Sequence, residues 1–253
     1  MSKIPRSHVA HNMMTGPGRV EIPHGGDMQS ISGVVLSIDS MSIGHRNKVL
    51  YKDVSFDIHA GDCIMLCGAN GSGKTTLLKA IAQMAVPGCR ITMIPSRIPK
   101  VKGFSVKEFV KVSCFRQTDM SGKLSAHDET NLLHALTRLG IEHLQDRDIS
   151  TLSDGEFQKS CIAAALVQNA GIILLDEPTA FLDAENKVSV LKALRDICNS
   201  ANGPAIIYST HDLHEGLKAC NKVIALGADG IFRIGEASDT IVDSIFISSS
   251  PLA

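Results

Sequence analysis

Alternating apolar and polar positions mark the first patterned segments of the chain. Val34-Val35-Leu36-Ser37-Ile38 and Val54-Ser55-Phe56-Asp57-Ile58 read as strands, with residues 44–48 as turn material between them. Ala60-Gly61-Asp62 is a second turn, ahead of the apolar run from Cys63 to Cys67. The period then lengthens to that of a helix. Leu77, Leu78, Ile81 and Ala85 share one face, and Pro87-Gly88 stops the pattern. Residues 105–150 read as helical, with Leu132, Leu133, Leu136 and Leu139 on one stripe and Gly140 at a helix end. Ser153 and Glu156 have the spacing of a capping box, predicting a helix through Ile162 and Leu166 that ends near Gly171. The continuous apolar runs Ile172 to Leu175 and Ala205 to Tyr208 suit strands covered on both faces of a parallel sheet. Between them, Asp183 predicts the start of a helix carrying Val188, Leu191, Leu194 and Cys198, ended by Asn202-Gly203-Pro204. Lys222 to Gly235 reads as a hairpin around Asp229-Gly230. Residues 1–30 keep no period and predict a poorly ordered N-terminal tail.

Between the strand ending at Cys67 and the helix that follows lies Gly68-Ala69-Asn70-Gly71-Ser72-Gly73-Lys74-Thr75-Thr76. It fits G-x-x-x-x-G-K-[ST], the phosphate-binding P-loop, in the strand–loop–helix context the motif requires. Gly68, Gly71 and Gly73 lack Cβ atoms, so successive N–H groups can turn inward around phosphate oxygens. The helix N-terminus adds partial positive charge there. Lys74 can reach the β- and γ-phosphates, and the Thr75 hydroxyl can bind Mg²⁺.

Asp176 and Glu177 follow the apolar run at its carboxyl end, where α/β sheets bind ligands. Asp176 is suited to hold Mg²⁺, and Glu177 to orient or deprotonate a water. His211, just past the next apolar run, is either a donor to phosphate or an ordinary helix-capping or surface histidine.

Composition narrows the partners. A net charge of −1, aromatic residues at 4% and no Trp give no electrostatic or stacking basis for nucleic-acid binding. Seven scattered cysteines without a C-x-x-C pair point to a reducing compartment, with neither a disulfide framework nor a zinc site. No apolar stretch reaches the roughly 18 residues that cross a bilayer.

Taken together, these motifs resemble the nucleotide-binding subunits of ABC transporters. The P-loop, an LSGGQ-like signature at Leu152-Ser153-Asp154-Gly155-Glu156, the strand ending at Asp176-Glu177, Pro178 to Asp183 and Ser209-Thr210-His211-Asp212 occur in that family's order. The signature and Thr179-Ala180-Phe181-Leu182-Asp183 look most like the subfamily that energises uptake of iron–siderophore, haem or cobalamin complexes. The resemblance implies an α/β fold of ABC type: a mixed sheet, an antiparallel β subdomain and an inserted helical lobe over about 104–170. It implies one ATPase domain over 31–240 and a tail over 241–253. ATP and Mg²⁺ are the implied cofactors, with Lys74, Glu177 and His211 catalytic. Asn70, Ser72, Lys74, Thr75 and Thr76 would complete the nucleotide contacts with the loop glycines. Ser153, Gly155 and Asp183 would reach the nucleotide of a second, head-to-tail copy. Transmembrane permease subunits would be partners, at the cytoplasmic face of the cell membrane.

Three positions depart from the family pattern. Ser96 stands where a glutamine near Mg²⁺ is usual, with Gln117 as a less favoured alternative. His45 occupies the place of an aromatic that stacks on adenine, or is simply an exposed turn residue. Asp154 in the signature suits the helix dipole but would repel phosphate, so its carboxylate is expected to point away. A soluble ABC-type ATPase of the iron–sulfur assembly kind, without a membrane partner, or a weak regulatory ATP binder is the alternative to the importer subunit.

Overall fold

The computed structural model describes residues 33–45, 48–113, 125–227, 230–238 and 242–243. Residues 1–30, Gln117, Asp229 and most of 241–253 lie outside them.

Two strands, β1 (Val34–His45) and β2 (Lys48–His59), form an antiparallel pair. They extend well beyond the short predicted runs, because register irregularities near Ser40 and Asp53 break the period of two. A second sheet has six strands in the order β4-β5-β6-β3-β7-β8. These are β3 (Cys63–Gly68), β4 (Ile91–Ile94), β5 (Ile172–Leu175), β6 (Ala205–Ser209), β7 (Lys222–Leu226) and β8 (Phe232–Glu236). All pair in parallel except β7 with β8, whose antiparallel pairing forms the predicted hairpin.

The central strands are buried on both faces, which explains their unbroken apolar runs. Alternate residues of β3 enter different cores. Cys63, Met65 and Cys67 join one built with α2 (Val106–Val112), α3 (Ala126–Arg138), α4 (Asp154–Leu166) and α5 (Ala184–Cys198). Ile64 and Leu66 join the other, with α1 (Lys74–Ala82) and the β1–β2 pair. A short helix, α6 (Leu213–Ala219), follows β6. The mixed sheet, antiparallel subdomain and helical lobe are those that the sequence resemblance implies.

Some helical positions differ from the sequence reading. α1 ends at Ala82, so Ala85 is exposed beyond it. Leu133 faces solvent, and Ala135 joins Leu132 and Leu136 on the buried face of α3. On α5 the buried set is Val190, Leu191, Leu194, Ile197 and Cys198, leaving Val188 exposed. Among the described residues, no helix is long and apolar enough to cross a membrane.

Candidate nucleotide site

Adjacent parallel strands deliver the candidate residues to one edge of the sheet. β3 runs into the P-loop, β6 beside it ends at Ser209, and β5 beside β6 ends just before Asp176. Parallel register makes all these ends carboxyl ends, where α/β sheets place ligands.

The loop after β3 is shaped by its glycines. Gly71 (φ +78°) and Gly73 (φ +102°) adopt left-handed backbone that L side chains rarely occupy. Gly73 is the N-cap of α1, no side chain caps that end, and the first turn holds no acidic residue. The first N–H groups of α1 are therefore open to an external anion. Lys74 is buried, and its Nζ donates to the carbonyls of Gly68 (2.9 Å) and Ala69 (3.2 Å). Desolvation lowers the Lys74 pKa, while the charges of Glu177 and Asp176 oppose that shift. Among the described residues, the buried Ser72 Oγ has no hydrogen-bond partner. An orphaned hydroxyl, an uncapped helix and a buried ammonium together fit a polyphosphate. Asn70 and Thr76 flank this loop.

Beside it, Thr75 Oγ1 donates to Asp176 Oδ2 at 2.9 Å. Ser209 Oγ donates to Asp176 Oδ1 (2.9 Å) and accepts the Glu177 N–H (2.8 Å). Ser209 is fully buried, so it fixes both acidic residues against β6. One carboxylate and one hydroxyl suit Mg²⁺, which keeps several waters and takes phosphate oxygens as further ligands. Among the described residues no cluster of three or more His, Cys, Asp or Glu could hold a metal by itself.

Glu177 has φ +51°, an unfavourable backbone region for a residue with a side chain. Its Oε1 lies 2.6 Å from His211 Nε2, and both side chains remain partly exposed. Asp212, not His211, caps α6. A carboxylate held against an imidazole at a phosphate site can position a water and accept its proton.

The signature segment lies at the start of α4, where Ser153 and Glu156 complete the expected capping box. Gly155 packs so closely on α5 that a Cβ there would lie 2.5 Å from Asn186 Oδ1. Asn186 also binds Asp183 through its backbone N–H (2.8 Å) and Nδ2 (3.0 Å). The Asp154 carboxylate turns to Lys100 Nζ, 2.7 Å away. Ser96 follows β4 as an exposed residue and makes no hydrogen bond to Thr75, Asp176 or Glu177. It lines a cleft of about 560 Å³ with Lys100, Asp154, Phe157 and the 74% exposed Phe181. The His45 side chain lies outside the described part of the structure.

Sequence reasoning gave Ser209 no role of its own within Ser209-Thr210-His211-Asp212, and missed Lys100 and Asn186. Ser209 alone left a signal, as a polar residue closing an apolar strand before His211.

The model of the ABC transporter family matches residues 51–180. The iron(3+)-hydroxamate import ATP-binding protein of Bacillus subtilis is 29% identical over 230 residues, covering 83% of this chain and 85% of that protein. The phosphonates import ATP-binding protein of Shigella dysenteriae is 30% identical over 217 residues, covering 73% and 82%. Others are named for zinc and molybdate import. A solved inward-facing metal-chelate type ABC transporter is similar with a TM-score of 0.74 and 27% identity, over 85% of this chain and 90% of that one. On the strength of the family match and the P-loop site, this chain belongs to the ABC transporter family as one of its ATP-hydrolysing, ATP-binding proteins.

Proposed function

We propose that the chain powers a membrane importer of metal chelates of the iron–siderophore, haem or cobalamin kind. The observation that carries this reading is the Glu177–His211 pair beside a P-loop, in a chain of the ABC family. Lys74, the loop amides from Asn70 to Thr76 and the Ser72 hydroxyl hold the triphosphate. Thr75 and Asp176 would hold Mg²⁺, which would supply charge neutralisation at the phosphates, and Ser96 would reach it only through a water. Glu177 accepts the proton of the attacking water, and His211 donates to the γ-phosphate.

Two copies pair head to tail, so that Ser153 and the Gly155 N–H of one face the nucleotide of the other, with Asp183 linking the sites. ATP favours the closed pair because it touches both surfaces, and hydrolysis removes those contacts. The helical lobe passes this motion to the transmembrane permease. The protein is thus peripheral, at the cytoplasmic face of the membrane.

The cargo assignment rests on relatives named for hydroxamate, achromobactin and siderophore transport, and on the metal-chelate type structure. Turnover of ATP by wild type and Glu177→Gln is the test. A drop of at least ~10²-fold is expected for loss of a general base. Equal rates would overturn the assignment of Glu177.

A further inference from the structure

We propose that Tyr51, on β2, is a positioning residue that aims the Gly73 amide into the phosphate nest. This rests on the nucleotide reading above and adds a residue outside every motif that carries it.

The Tyr51 hydroxyl donates to Ser72 O at 2.5 Å and lies 3.2 Å from Gly227 O, just past β7. A phenol has one proton, so the shorter contact takes most of it. The Ser72 carbonyl and the Gly73 N–H belong to the same peptide unit. That unit is trans, as every described peptide bond is. In a planar trans peptide the two groups point in opposite directions. Holding the carbonyl against β2 therefore turns the Gly73 N–H the other way, toward the inside of the loop. That N–H has no acceptor within the described protein.

The arrangement needs such a restraint. Gly73 has φ +102°, and a glycine there leaves the preceding peptide free to rotate. Tyr51 is only 3% exposed, its ring packs edge-on against Phe232 at 6.3 Å, and it has little room to move. The loop also sits directly on β2: a Cβ on Gly73 would lie 2.8 Å from Leu50 Cδ1 and 3.5 Å from the Tyr51 ring. Burial raises the Tyr51 pKa, which keeps its hydroxyl a donor at physiological pH.

An amide that holds phosphate throughout the reaction contributes to ground-state and transition-state binding alike. Its loss therefore appears in KM and not in kcat. Steady-state ATP hydrolysis by wild type, Tyr51→Phe and Ile58→Val tests this, with thermal unfolding of each; Ile58 is fully buried at the other end of β2 and touches no site residue named above. Tyr51→Phe is expected to raise KM for Mg–ATP about two- to tenfold, the scale of one hydrogen bond, with kcat within about twofold. Ile58→Val is expected to lower the melting temperature without moving KM. Wild-type KM in Tyr51→Phe, or an equal rise in Ile58→Val, overturns the positioning role alone. Failure of wild type to bind or hydrolyse Mg–ATP overturns this role together with the nucleotide reading.

Discussion

Gly155, in the signature segment, and Asn186, in the first turn of α5, pack without room for a single added methyl group. A Cβ at Gly155 would lie 2.5 Å from Asn186 Oδ1 and 2.7 Å from its Cγ. The same Asn186 is bound by Asp183. One side chain thus fixes the spacing between two segments proposed to meet the nucleotide of a second copy. Gly155→Ala is expected to cost about 1–3 kcal/mol by overpacking, read by chemical denaturation, and to lower ATPase activity. Adding Asn186→Ala should recover part of both losses, because the two shortest contacts, to Asn186 Oδ1 and Cγ, would be removed and the 3.1 Å contact to its Cβ is milder.

Ser209 binds Asp176 and the Glu177 amide from a fully buried position. Ser209→Ala leaves a buried acceptor and a donor unpaired. A loss of about 1–3 kcal/mol in unfolding free energy is expected, with a fall in ATP turnover. Unchanged stability would show that neither bond matters.

Asp154 is predicted to be dispensable for chemistry. Its carboxylate is engaged by Lys100, itself 5.5 Å from the Phe157 ring. Asp154→Gly should therefore retain most ATPase activity. An inactive variant would contradict an outward-facing carboxylate.

The capping box of α4 gives a pH dependence with a definite sign. The hydrogen bond from the Ser153 backbone lowers the Glu156 pKa below its ordinary value. A carboxyl with a depressed folded-state pKa stabilises fully above the unfolded value, near 4.5, and less as pH falls through the folded one. Glu156→Gln should thus cost about 0.3–1.5 kcal/mol at neutral pH. The gap to wild type should close as acid protonates Glu156.

Local chemistry explains what was legible in the sequence. The P-loop, the β5 run before Asp176 and the Ser153–Glu156 box each declare themselves through neighbouring residues, and the parallel sheet brings the first two to one edge. Tyr51, Asn186 and Lys100 left no such mark. Each acts across the fold, on residues 21, 31 and 54 positions away respectively. A tyrosine in an apolar strand or an asparagine in an exposed helix turn is unremarkable until its partner is known. Leu133 and Val188 were misplaced for a related reason: each helix buries a neighbouring face, and tertiary packing chooses which apolar positions turn inward. Bulges hid the length of β1 and β2, since an inserted residue reverses the alternation that identifies a strand.

The central claim is that nucleotide acts as removable adhesive between two copies of this chain. Sedimentation velocity of Glu177→Gln, without nucleotide and with Mg–ATP or Mg–ADP, tests it most directly. Mg–ATP is expected to shift the protein toward a dimer, and Mg–ADP is not. A sedimentation coefficient unmoved by saturating Mg–ATP, with binding of that nucleotide verified, would contradict the account.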